Sequence, residues 1–177
     1  MRKELLIGCG SVLTKKLALT GYEQWEGRVT LDINPDHKPD VVWDLMQFPY
    51  PFEDNTFDEI HAYEVLEHTG TQGDYKFFFK QFSEFWRIMK PEGVFLGTCP
   101  MPNSVWAWGD PSHTRIVQKA NFGFLSQNFY KEQVGVTPVS DFRYIYKEDF
   151  DFVFTDEKDD SFRFGLKAVK PSRINVP

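Results

Sequence analysis

Short apolar runs broken by polar residues dominate the first part of the chain. The run at residues 4–7 stops at Gly8-Cys9-Gly10, the pattern of a buried strand ending in a turn that needs glycine backbone freedom. Residues 12–19 can continue as a helix capped by Ser11, and residues 28–31 predict a second strand ending at Asp32. Residues 40–43 predict a third strand, closed by Asp44-Leu45, and residues 57–62 a fourth that precedes Val65-Leu66-Glu67-His68. Over residues 75–89 the period changes. Phe78, Phe82, Phe85 and Met89 recur at spacings of three and four, which places them on one face of an amphipathic helix. Lys90-Pro91-Glu92-Gly93 is a stop signal, and residues 94–98 supply a fifth buried strand ending at Cys99-Pro100.

Residues 102–118 have no clear period and hold Trp106, Trp108, Asp110, His113 and Arg115, so they predict a long loop of the kind that carries function. Residues 122–130 predict a helix. Phe150, Phe152 and Phe154 then alternate, as do Phe162, Phe164, Leu166 and Ala168, and the acidic stretch 156–160 between them makes a hairpin. Five strands separated by crossovers and followed by an antiparallel hairpin predict an α/β chain with a mostly parallel sheet, whose ligands bind at the strands' carboxyl ends.

Composition narrows the functional classes. The 177 residues fit one domain, and an apolar share of 41% with 18 Phe describes a packed globule. The net charge of −6, with no block of Lys and Arg, argues against a nucleic-acid partner. Cys9 and Cys99 both lie in apolar segments, which suits buried thiols in the cytoplasm. No signal-peptide pattern opens the chain and no apolar run approaches the roughly 20 residues that span a bilayer, so no membrane partner is expected.

The chemistry concentrates at predicted strand ends. Gly8-Cys9-Gly10 lets the backbone approach a ligand closely, and Asp32 can accept hydrogen bonds from two ribose hydroxyls. Asp44 can accept from an adenine amino group. Together these form the nucleoside half of a dinucleotide or adenosyl site.

With these residues the chain resembles the class I S-adenosylmethionine-dependent methyltransferases over residues 5–100. The specific stretches are Pro51-Phe52-Glu53-Asp54-Asn55-Thr56-Phe57-Asp58-Glu59-Ile60, then Glu64-Val65-Leu66-Glu67-His68, then Arg87-Ile88-Met89-Lys90-Pro91-Glu92-Gly93. The resemblance implies a Rossmann-like, mostly parallel seven-stranded sheet with helices on both faces and a C-terminal antiparallel hairpin, as a single domain over residues 1–177. It implies S-adenosylmethionine as cofactor. Gly8, Cys9 and Gly10 would lie against its methionine part, Asp32 would hold the ribose, and Asp44 with Leu45 would recognise adenine, with Ile33 flanking the ring. Ala62 and Tyr63 match positions near the methionyl end and the transferred methyl.

Two departures stand out. Leu6 replaces the acidic residue usual two positions before the first glycine, and Val12 replaces the third glycine of the loop. Almost no chain precedes the first strand, where the family often carries a helical cap, so the acceptor pocket is expected to be open or completed by another subunit of a homo-oligomer.

For a hydroxyl acceptor, His113 is the candidate base, with Asp110 to orient it or act in its place. Trp106 and Trp108 are candidates to line a pocket for an apolar or sugar-like small molecule, Arg115 for an anionic one. No metal-binding set is assigned. Leu13 stands where a nicotinamide-binding fingerprint needs its third glycine, and no Pro-Pro-aromatic segment follows the fourth strand as in nucleic-acid amine methyltransferases. The alternative from another class is a non-catalytic module that binds the cofactor or partners a true enzyme.

Overall fold

A computed structural model describes residues 1–175. Its centre is a seven-stranded sheet formed by β1 (Glu4–Ile7), β2 (Arg28–Asp32), β3 (Val41–Val42), β4 (Phe57–Tyr63), β5 (Met89–Pro100), β6 (Phe150–Lys158) and β7 (Ser161–Ala168). The spatial order is β3-β2-β1-β4-β5-β7-β6. Strands β1 to β5 pair in parallel, while β7 runs antiparallel to both β5 and β6. The expected seven-stranded, mostly parallel sheet with its C-terminal antiparallel hairpin is the one observed.

The hairpin turn is tighter than the acidic stretch implied. Lys158 pairs with Ser161, leaving Asp159 and Asp160 at φ 53° and 61°, the backbone of a two-residue type I′ turn. Asp156 and Glu157 belong to β6.

One face of the sheet carries α1 (Tyr75–Ile88), whose first turn is capped by Asp74 accepting from the Phe77 amide at 3.0 Å. Phe82, Phe85 and Ile88 are fully buried against Leu5, Ile7, Ile60 and Phe95. Met89, expected on the helix face, is the first residue of β5 and equally buried.

The opposite face is covered over β1 and β4 by residues 11–26, where the helix expected at residues 12–19 does not form. Tertiary demands explain the difference. The Lys15 side chain is 3% exposed because its Nζ sits 2.9 Å from Glu4 Oε2 and 3.0 Å from Glu59 Oε2, and Arg2 reaches the same two carboxylates. The amides of Lys16 and Leu17 donate to the Tyr63 hydroxyl at 3.2 and 3.1 Å, and Leu13 O accepts from Trp25 Nε1. Backbone groups that a helix would pair internally are taken by Tyr63 of β4 and by Trp25.

The helix expected at residues 122–130 is likewise replaced by two short ones, α3 (Lys119–Gly123) and α4 (Gln127–Gln133). Between them Leu125 O accepts from the Phe150 amide at 3.0 Å and Phe124 O from the Tyr130 hydroxyl at 2.8 Å, so neither carbonyl is free to continue a helix. The long loop contains one short helix, α2 (Trp106–Gly109). Among the described residues, no helix is long and apolar enough to cross a membrane.

Candidate functional site

The order of connections reverses between β1 and β4: the chain passes from β1 outward to β2 and β3, then returns to β4 beside β1. The crevice at the carboxyl ends of the strands there is the place where open α/β sheets bind ligands. A cleft of about 570 Å³ occupies it, bounded by Gly8, Gly10, Asp32, Ile33, Asp44 and Leu45 from the sequence-derived set. His37, Trp43, Met46, Glu64, Val65, His68 and Thr69 also line it.

Gly8 has φ 57°, and a Cβ there would meet Val65 Cγ2 at 2.5 Å, so the turn is closed to side chains by both backbone and neighbour. Gly10 has φ 52° with open space where its Cβ would stand. Asp32, 6% exposed, accepts from the Gly10 amide and the Asn34 amide, each at 2.8 Å, and faces His37 Nδ1 at 3.3 Å. Burial works against its ionisation, but the amide bonds and His37 outweigh it and hold the carboxyl below the usual range. The same carboxylate therefore shapes the glycine turn and faces the cleft. His37 Nδ1, despite that proximity, has no well-formed hydrogen bond. Asp44 is half-buried and accepts from the Met46 amide at 2.8 Å. Leu45 is buried, its carbonyl taken by the Tyr50 hydroxyl, whereas Ile33 is 64% exposed at the cleft edge.

Three of the residues that the sequence assigns to the cofactor do not reach this cleft. Ala62 is fully buried. Cys9 and Tyr63 cluster with Leu6 on the opposite face of the sheet. The Tyr63 hydroxyl, pushed up to about 12 by burial, donates to His61 Nδ1 at 2.7 Å. Cys9 and Tyr63, with Gly8, Gly10 and Lys16, line a separate cavity of about 190 Å³ that adjoins the cleft at the glycine turn.

His113 and Asp110 lie just behind the cleft wall. The His113 ring meets that of His68 at 4.5 Å, edge to face, and its Nε2 is 4.0 Å from both Glu67 Oε1 and Asp110 Oδ2. Glu67 is 1% exposed, and burial, with Glu64 nearby, raises its carboxyl well above the usual range. Cys99 is fully buried beside it and its thiol is pushed up, which removes it as a nucleophile.

Arg115 is a structural residue. It is 5% exposed, donates to Leu66 O at 2.8 Å and to Gln81 Oε1 at 2.6 Å, and ties the long loop to α1. Trp106 and Trp108 are 64% and 61% exposed and line none of the cavities described.

Residues that sequence reasoning missed, His37 and Trp43 among them, share one signal: they lie within a few positions of a strand's carboxyl end. The contact between His68 and His113 has no such signal, since the two are far apart in the chain.

A second buried cluster, Glu4, Glu59 and His61, is already satisfied by Arg2, Lys15 and the Tyr63 hydroxyl. Burial works against ionisation of Glu59, yet hydrogen bonds from His61 and Lys15 bring its carboxyl down to about 2.

Comparison with known proteins gives the family and the fold. Residues 5–97 match the family model described as a methyltransferase domain. No curated protein matches. Among solved structures, a SAM-dependent methyltransferase from Archaeoglobus fulgidus superposes with TM-score 0.58 at 18% identity, covering 94% of this chain and 86% of its own. PH0226 from Pyrococcus horikoshii gives 0.56 at 15%, covering 95% and 84%. N-methyltransferase NodS from Bradyrhizobium japonicum, in complex with S-adenosyl-L-homocysteine, gives 0.56 at 15%, covering 94% and 78%. At these identities the structures establish the fold, and the family model establishes the kinship: the chain belongs to the methyltransferase domain family.

Proposed function

We propose that the protein binds S-adenosylmethionine in the switch-point cleft and transfers its methyl group to a small-molecule acceptor in the cytoplasm, a hydroxyl of a sugar-like or aromatic compound being the favoured class. The observation that carries this reading is the convergence of Gly8, Gly10, Asp32, Asp44 and Leu45, from three strand ends, on one cleft. Asp32 takes the ribose hydroxyls, and Asp44 with Leu45 takes adenine, with Ile33 over the ring. The amino-acid end lies at Gly8, Cys9 and Gly10 towards the cavity beneath Tyr63. The unsatisfied His37 Nδ1 in the cleft lining fits a ligand with hydroxyl groups.

The cofactor, held by Gly8, Gly10, Asp32, Asp44 and Leu45, would supply an electrophilic methyl group on a sulfonium for attack by the acceptor oxygen. What the chain adds is alignment, an in-line geometry held by the cleft. The hydroxyl proton leaves towards the His68–His113 wall, where His113, with Asp110 at 4.0 Å, acts as base.

The test is formation of S-adenosylhomocysteine on a panel of hydroxylated acceptors. Turnover by the native chain, reduced about 100-fold or more in His113→Ala with cofactor affinity within about twofold of native, supports the reading. Cofactor binding without turnover on any acceptor replaces it with the non-catalytic module.

A further inference from the structure

We propose that Glu67, His68 and His113 form a binding site for one divalent first-row transition-metal ion at the wall of the cleft. The three donor atoms lie within 4.8 Å of one another. Their hydrogen bonding has the form of a site awaiting a cation. Glu67 is buried, and neither carboxylate oxygen has a hydrogen-bond partner, an expensive state for an acceptor shut away from water.

Both imidazoles are fixed in the same tautomer. His113 Nδ1 is 3.3 Å from Ala107 O, which can only accept, so the proton sits on Nδ1 and Nε2 presents a lone pair 4.0 Å from Glu67 Oε1. His68 Nδ1 is 3.0 Å from Ser112 Oγ. That hydroxyl spends its own proton on Asp110 Oδ1 at 2.5 Å, so it must accept from His68 and leave Nε2 of that ring free as well. A ligating histidine characteristically donates its other ring N–H to a carbonyl or to a group backed by a carboxylate, and both rings have such partners here.

Two imidazole nitrogens and a carboxylate suit Zn²⁺ and its first-row neighbours better than Mg²⁺ or Ca²⁺, which prefer all-oxygen shells. Ligand bonds of about 2 Å let one ion bridge donor atoms up to about 4 Å apart, so a small inward rotation of the two rings closes the set. Glu64, on the neighbouring turn beside Glu67, adds negative charge.

Because His68 lines the cleft, three protein ligands leave the ion with a position open towards the acceptor. An ion there takes the Nε2 of His113, and activation of the acceptor hydroxyl passes from that imidazole to the ion.

The experiment needs neither cofactor nor acceptor, so its outcome is independent of the methyl-transfer reading. The full chain, stripped with chelator, is titrated with Co²⁺ alone and followed by d–d absorption, and with Zn²⁺ alone by calorimetry. Expected are one ion per chain, at least 10-fold weaker uptake in Glu67→Gln, His68→Gln and His113→Gln, and a rise in native melting temperature with Zn²⁺ that the variants lack. In case a substitution impairs folding, imidazole resonances of the native chain are followed as Zn²⁺ is added: of its 4 His, those of His68 and His113 should move. Failure of the native chain to take up an ion, uptake unchanged in all three variants, or resonance shifts confined to His37 and His61 would overturn the proposal.

Discussion

Asp32 shows how one side chain serves both stability and function. Each of its oxygens already accepts an amide hydrogen, from Gly10 and from Asn34, and a carboxylate has lone pairs left for a ribose. Removing it deletes charged hydrogen bonds to ligand and loosens the glycine turn together. Asp32→Ala should therefore weaken S-adenosylmethionine binding by about 10- to 100-fold, the equivalent of roughly 1.5–3 kcal/mol. Asp44→Ala, which removes one acceptor from a half-buried turn, should cost about 3- to 10-fold, roughly one ordinary hydrogen bond.

Glu59 makes a prediction about pH. Against the effect of burial, hydrogen bonds from His61 and Lys15 bring its folded-state carboxyl down to about 2 from the ordinary 4.5, so the unfolded chain binds the proton more readily. The stabilisation is complete above pH 4.5 and is lost as pH falls towards 2. Urea midpoints measured across that window should fall in the native protein and change less in Glu59→Gln, which starts lower.

At the scale of elements, the segment 11–26 and helix α1 obey different rules. Helix α1 was legible because its apolar period is local, and the strands because each is a short run closed by a turn signal. Phe82 sits where α1 meets the rest of the core, its ring among those of Phe85, Phe95, Phe122 and Phe150. Phe82→Ala should lower unfolding free energy by about 3–5 kcal/mol in urea titrations.

Residues 11–26 were misread as starting with a helix because their conformation is dictated from a distance. Lys15 is drawn between Glu4 and Glu59, and no local pattern announces that pairing. Lys15→Met leaves the two carboxylates facing one another in the interior with only Arg2 between them. It should cost about 3–5 kcal/mol, and limited proteolysis should then cut within residues 11–26. The break between α3 and α4 has a similar origin, in carbonyls claimed by Phe150 and Tyr130.

For the molecule as a whole, the site follows from topology more than from any single motif. The reversal of strand order between β1 and β4 opens one crevice, and residues that follow strand ends fall into it whether or not they belong to a recognisable pattern. This is why Gly8, Gly10, Asp32, Asp44 and Leu45 were found from sequence while His37 and Trp43 were not. It also explains Tyr63, which alternation along β4 sets on the face opposite Ala62; Cys9 joins Leu6 on that face because Gly8, at φ 57°, interrupts the alternation of β1.

The central claim is that this crevice holds an adenosyl cofactor. The most direct test is a calorimetric titration of the native chain, Asp32→Ala and Asp44→Ala with S-adenosylmethionine, S-adenosylhomocysteine and NAD. The account predicts that both adenosyl ligands bind, that NAD does not, and that each substitution weakens binding; heat from neither adenosyl ligand, or affinity unmoved by both substitutions, would contradict it.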